Sequence, residues 1–113
     1  MRFYASLFDR SGIIAIDRYG PGEAGKEGTV RKARFSLVGQ ELMCIDSSAK
    51  HNFTFNPAIS LFVTCDSEEE IDRLFGKLSG GGVLMPLAPY PFSKKFCWVV
   101  DQFGVSWQLS LEN

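Results

Sequence analysis

Lys32, Arg34 and Ser36 alternate along KARFS, and in a strand that spacing turns all three donors to one face, where a carboxylate or phosphonate would find two cations and a hydroxyl. Ser93, Lys94 and Lys95 in the stretch PYPFSKKF, read as a loop, add donors of the same kind. The ordinary alternative for Lys32 and Arg34 is a solvated, charged sheet surface. Glu41 is the one carboxylate on a neighbouring strand-like run, QELMCI, and is the candidate general base if the chain does proton-transfer chemistry. Other familiar signals are weaker. His51 stands alone in the polar stretch KHNF, with no second histidine and no carboxylate at ligand spacing. The triple glycine 80–82 follows a helical pattern rather than a strand, so it reads as a helix stop and not as a phosphate loop. Cys44, Cys65 and Cys97 form no CxxC pair and lie inside strand-like runs, as small reduced core residues do.

The elements that must position these groups are legible from periodicity. Residues 67–78, SEEEIDRLFGKL, place Ile71, Leu74, Phe75 and Leu78 on one helical stripe, with Ser67 and Glu70 spaced as a capping box and acidic residues in the first turn. Phe3, Tyr4, Leu7 and Phe8 have compatible spacing, so the chain is expected to begin in a helix. Strand signals cover 12–18, 29–38, 41–46, 59–65, 95–100 and 105–111, while 19–28 and 47–57 read as loops. In the last strand Val105, Trp107, Leu109 and Leu111 form the apolar set expected under a helix, leaving Ser106, Gln108 and Ser110 on the other face. The same parity puts Leu61, Val63 and Cys65 under the helix and Ser60, Phe62 and Thr64 opposite. It sends Ala33, Phe35 and Leu37 inward, away from Lys32, Arg34 and Ser36, and gives Glu41, Met43 and Ile45 a common face.

The pattern occurs twice. FSLVGQELMCI and VVDQFGVSWQLSL both run apolar residues into a glycine and leave it in alternation, and Gly39 and Gly104 differ by 104 − 39 = 65 positions. The two helices follow nearly the same offset. The chain therefore reads as two β-α-β-β-β units, residues 1–56 and 57–113, in one α+β domain, with the opening strand of the first unit missing. A length of 113 residues at 45% hydrophobic content fits one core of this size. The net charge of −1, with Lys, Arg, Asp and Glu mixed along the chain, gives no basic footprint for nucleic acid and no acidic tail. No apolar run approaches the ~20 residues of a membrane span and no signal peptide is visible, so a cytoplasmic location is expected.

That layout, with GTVRKARFSLVGQELMCID, the NPAISLFV run into an acidic helix and the DQFGVSWQL ending, resembles the PhnB-like group of the vicinal oxygen chelate superfamily, the glyoxalase/bleomycin-resistance/dioxygenase proteins. The resemblance implies paired modules whose sheets curve around a cleft, with helices outside, and a homodimer. It also implies that metal-dependent relatives place His or Glu at four cleft positions. One of these belongs to the missing strand, and the other three carry over to Met43, Ser60 and Gln108, a thioether, a hydroxyl and an amide, which suit no tightly held divalent metal.

The expectation is thus a metal-free, cofactor-free protein holding a small polar or anionic molecule against Lys32, Arg34, Ser36, Glu41, Met43, Ser60, Phe62, Trp98 and Gln108, with Phe62, Trp98 and Phe92 as apolar wall. The alternative is an enzyme of the superfamily, either a metal-dependent isomerase, lyase or dioxygenase, or a metal-free catalyst using Glu41. A methyltransferase activity lacks its strand, glycine loop and helix for a methyl-donor cofactor. Partners other than the small molecule reduce to a second copy of the chain, whose pairing the unpaired sheet edge beside the missing strand would invite.

Overall fold

The computed structural model describes residues 1–47 and 49–112; Ser48, in the expected 47–57 loop, and Asn113 lie outside them. The chain divides into two compact units, Met1–His51 and Asn52–Asn113. The first contains α1 (Arg2–Leu7) followed by β1 (Gly12–Arg18), β2 (Val30–Leu37) and β3 (Gln40–Cys44). The second contains β4 (Ser60–Cys65), α2 (Glu68–Leu78), β5 (Gly82–Tyr90), β6 (Ser93–Val100) and β7 (Ser106–Leu111). The α+β order is that of two β-α-β-β-β modules, the first without its opening strand among the described residues.

In the first unit the sheet order is β1-β2-β3, antiparallel throughout. The β2–β3 turn has positive φ at both central residues, 50° at Val38 and 84° at Gly39, the mirror-image geometry that matches strand twist in a two-residue hairpin. Glycine adopts this backbone freely, whereas the β-branched valine is held there against its own preference. Ala33 and Phe35 are buried on the face that α1 covers, together with Leu7 of the helix. Phe8, expected inside the helix, has already left it with extended backbone (φ −127°, ψ 146°).

The second sheet runs β4-β7-β6-β5, with β4 parallel to β7 and the other pairs antiparallel. Ser67 caps α2, its hydroxyl accepting from Glu70 N at 3.1 Å, while the Glu70 carboxylate accepts from Asp66 N at 2.7 Å. Ile71, Leu74 and Leu78 are fully buried against Cys65, Cys97, Val99, Trp107, Leu109 and Leu111 of the sheet. Each of these strand residues shares one parity, since Trp107 pairs with Leu61 and Val99, and Leu109 with Val63 and Cys97.

Two readings need correction. β5 was not recognised as a strand, because Pro86 and Pro89 interrupt GVLMPLAPY; they are tolerated since β5 is an edge strand whose register breaks three times. SKK, read as part of a loop, opens β6. Lys95 therefore falls on the α2 side, where its ammonium meets Asp72 at 2.7 Å, and Ser93 is buried. Neither is a free donor for an anion.

Candidate functional site

The β2–β3 register pairs Ser36 with Glu41 and Arg34 with Met43, so Lys32, Arg34, Ser36, Glu41 and Met43 do share one sheet face. The Arg34 charge is already matched, its Nη1 donating to Glu41 Oε1 at 2.7 Å, whereas Asp17, opposite Lys32 in the β1–β2 register, is held by Arg31 at 2.6 Å. The Arg34–Glu41 pair is about half exposed, so it is worth only ~0–1 kcal/mol. Even so, an incoming anion must compete with Glu41, and Glu41 must leave Arg34 to act as a base. Met43 is 64% exposed beside them.

On the second sheet, the face opposite α2 carries a row running across all four strands: Phe62 pairs with Gln108, Gln108 with Trp98, and Trp98 with Met85. The next row holds Ser60 and Ser106, whose hydroxyls meet at 2.6 Å; Trp98 Nε1 donates to Ser106 Oγ at 2.7 Å. On the other side of Gln108, Ser110 meets Ser93 at 2.8 Å and donates to Glu112 Oε1 at 3.0 Å. Ser106 and Ser110, expected to face outward with Gln108, are each only 1% exposed, because hydrogen bonds to their neighbours draw them into the packed surface. Gln108 between them is half-buried, and its amide has no hydrogen-bond partner among the described residues. The row is completed by Phe62, 57% exposed, and a half-buried Trp98 whose indole is pinned by Ser106.

Met43, Ser60 and Gln108, the three residues expected from the resemblance at ligand positions, make a poor donor set. Ser60 already spends its hydroxyl on Ser106, Gln108 offers one neutral amide and Met43 a thioether. Among the described residues no three His, Cys, Asp or Glu side chains come together as metal ligands. His51 is hydrogen-bonded through Nε2 to Ser47 Oγ at 2.8 Å in its loop. The glycines after α2 form a turn, with Gly82 N donating to Ser79 O and Gly81 N to Val100 O.

The thiols of Cys65 and Cys97 are buried and are poor nucleophiles in the folded protein. Burial, reinforced by the charges of Glu70 and Asp66 and by Cys97, pushes Cys65 up to about 12. Burial likewise pushes Cys97 up to about 11, against a backbone hydrogen bond from Leu109 that acts the other way. A disulfide-exchange reagent at pH 8 is therefore expected to label half-buried Cys44 alone, the other two reacting only on unfolding. Rapid modification of all three in native protein would contradict this burial. Because both folded values are raised, their stabilising contribution is complete below about 9 and is lost as pH climbs through about 11 to 12.

The profile of the 3-demethylubiquinone-9 3-methyltransferase family matches residues 1–110. The chain belongs to that family. It is 62% identical to a Bacillus cereus PhnB protein of known structure, with a TM-score of 0.93 over 98% of this chain and 87% of that one. A Pseudomonas aeruginosa protein is 27% identical with a TM-score of 0.81, covering 98% of this chain and 85% of that one. No curated protein matches. The PhnB-like fold is thereby shown. The family's methyltransferase name implies a methyl-donor cofactor, and the described residues do not fit one in the strand, glycine loop and helix manner: β4 joins α2 through Asp66 and Ser67, without glycine. No helix among the described residues is long and apolar enough to cross a membrane.

Proposed function

We propose that this PhnB-like protein is a cytoplasmic small-molecule binder that needs no resident metal, using the sheet faces that carry Gln108, Phe62 and Trp98 in one unit and Arg34, Glu41, Ser36, Lys32 and Met43 in the other. The observation that carries the reading is Gln108: a half-buried amide with no partner among the described residues, set between aromatic residues, is a hydrogen-bonding group held for something outside the chain. Binding is favoured over proton abstraction because Glu41 is engaged by Arg34. The protein acts as a homodimer in this proposal. β3 is an edge strand of the first unit's sheet, with Ile45 61% exposed after it, and β4 is an edge strand of the second unit's sheet, with Phe53, Phe55 and Ile59 61–78% exposed before it, apolar side chains that a second copy would cover.

Native mass spectrometry of the purified chain tests these points together. The expected species is a dimer free of metal adducts that takes up small-molecule mass on incubation with a metabolite extract. A stoichiometric zinc, nickel, manganese or iron adduct surviving dialysis would overturn the metal-free reading. A monomer at micromolar concentration would overturn the dimer.

A further inference from the structure

We infer that the face opposite α2 selects an uncharged, planar ligand group bearing both a donor and an acceptor, a carboxamide or a lactam-like ring edge, over an anion. This rests on the proposal that the face binds a small molecule, and it specifies what that molecule must present.

Gln108 sets the hydrogen-bonding requirement. Its amide offers one carbonyl acceptor and one NH2 donor, and neither is used among the described residues. A carboxamide satisfies both at once by a two-point contact. A carboxylate can only accept, so it leaves the Gln108 carbonyl unpaired beside a second oxygen.

The surrounding residues set the charge requirement. Ser106, Ser110 and Ser60 spend their hydroxyls on Trp98, Ser93, Glu112 and one another. On β4 to β7, Lys94 is the one charged residue among those described at the parity of Gln108 and Trp98. It lies four positions along β6 from Trp98, about 13 Å at the rise of a strand. An anion on Gln108 would be partly desolvated with no cation of its own sheet in reach.

The shape requirement comes from the row itself. Phe62 and Trp98 flank Gln108 on adjacent strands, about 10 Å apart at two strand spacings, which leaves room for one ring with an aromatic neighbour on either side. Trp98 is fixed by its bond to Ser106, and Ser106 by Ser60, so this wall is ordered before a ligand arrives.

The two tryptophans make the test direct, because Trp98 lies on this face and Trp107 on the α2 side, its Nε1 donating to Asp101 Oδ2 at 2.9 Å. Three matched probes, benzamide, benzoate and cyclohexanecarboxamide, are titrated into the full chain while the indole and glutamine side-chain resonances are followed by nitrogen-15 NMR. Benzamide is expected to move the Trp98 and Gln108 signals and leave Trp107 in place, binding about tenfold more tightly than benzoate. Cyclohexanecarboxamide should bind more weakly than benzamide. In Gln108→Leu, a substitution of similar bulk, the preference for benzamide over benzoate should disappear while the Trp107 signal reports an intact fold. Benzoate binding as tightly as benzamide on the same resonances would overturn the charge and donor requirement while leaving the face a binding surface. Equal affinity for the saturated ring would overturn the requirement for planarity. If none of the three probes moves Trp98 or Gln108 at millimolar concentration, the face is not a binding surface and both proposals fail.

Discussion

Trp107→Ala is expected to cost about 3–5 kcal/mol of folding stability, whereas Gln108→Ala, one residue along, should cost almost nothing. The two side chains leave β7 on opposite faces. Trp107 is 1% exposed, packed with Leu109 and Val99 under α2, and truncating it removes a large buried ring and leaves a cavity among residues that are themselves fully buried. Gln108 is half-buried and makes no hydrogen bond within the described chain, so its removal leaves no orphaned partner. Urea unfolding measures both: a large fall in midpoint for the first variant and superimposable curves for the second. Equal destabilisation would mean that the assignment of faces along β7 is wrong, and with it the placement of the candidate site.

That assignment was legible because the signal was local and repeated. Alternation from Val105 to Leu111 fixes the two faces of β7, the stripe Ile71, Leu74, Leu78 fixes the buried side of α2, and the glycines at 39 and 104 both take positive φ at the turn into a unit's last strand. What stayed hidden depended on neighbours distant in sequence. Nothing in GVLMPLAPY announces a strand until β6 is there to pair with it. Lys95 looked like a free cation beside Lys94, and only its position on the α2 face, opposite Leu111, brings it to Asp72. Ser106 and Ser110 looked equivalent to Gln108 by parity. A short hydroxyl can satisfy itself on an adjacent strand, as both do, while the longer amide projects past those partners. The sequence could place the candidate residues on faces, but only the hydrogen-bond pattern separates Gln108, left without a partner among the described residues, from the serines already satisfied. The Arg34–Glu41 pair shows the same limit, since parity predicts that the two share a face and says nothing of their neutralising each other.

Asp101 is the residue whose importance sequence reasoning missed, and its replacement should rival that of Trp107. It stands in VVDQFGV, where an aspartate three residues before a glycine is a turn signal, yet its side chain is 1% exposed and serves three donors. Oδ1 accepts from Phe103 N at 2.8 Å and Val105 N at 3.1 Å, and Oδ2 accepts from Trp107 Nε1 at 2.9 Å. One carboxylate thus closes the β6–β7 turn and fixes the indole of the central core residue. Asp101→Ala takes this acceptor from all three N–H groups, at about 1–3 kcal/mol for each that water cannot reach, so a total loss of about 3–5 kcal/mol is expected. Asp101→Asn should cost less. Its carbonyl can keep both turn donors, but its NH2 then faces the indole N–H, donor against donor. That clash is separable from the turn by a double-mutant cycle with Trp107→Phe, which removes the indole N–H while keeping an aromatic ring. The double variant should be more stable, by about 1 kcal/mol, than the two single losses added together. Simple additivity would show that Asp101 acts through the turn alone and that the indole draws nothing from it.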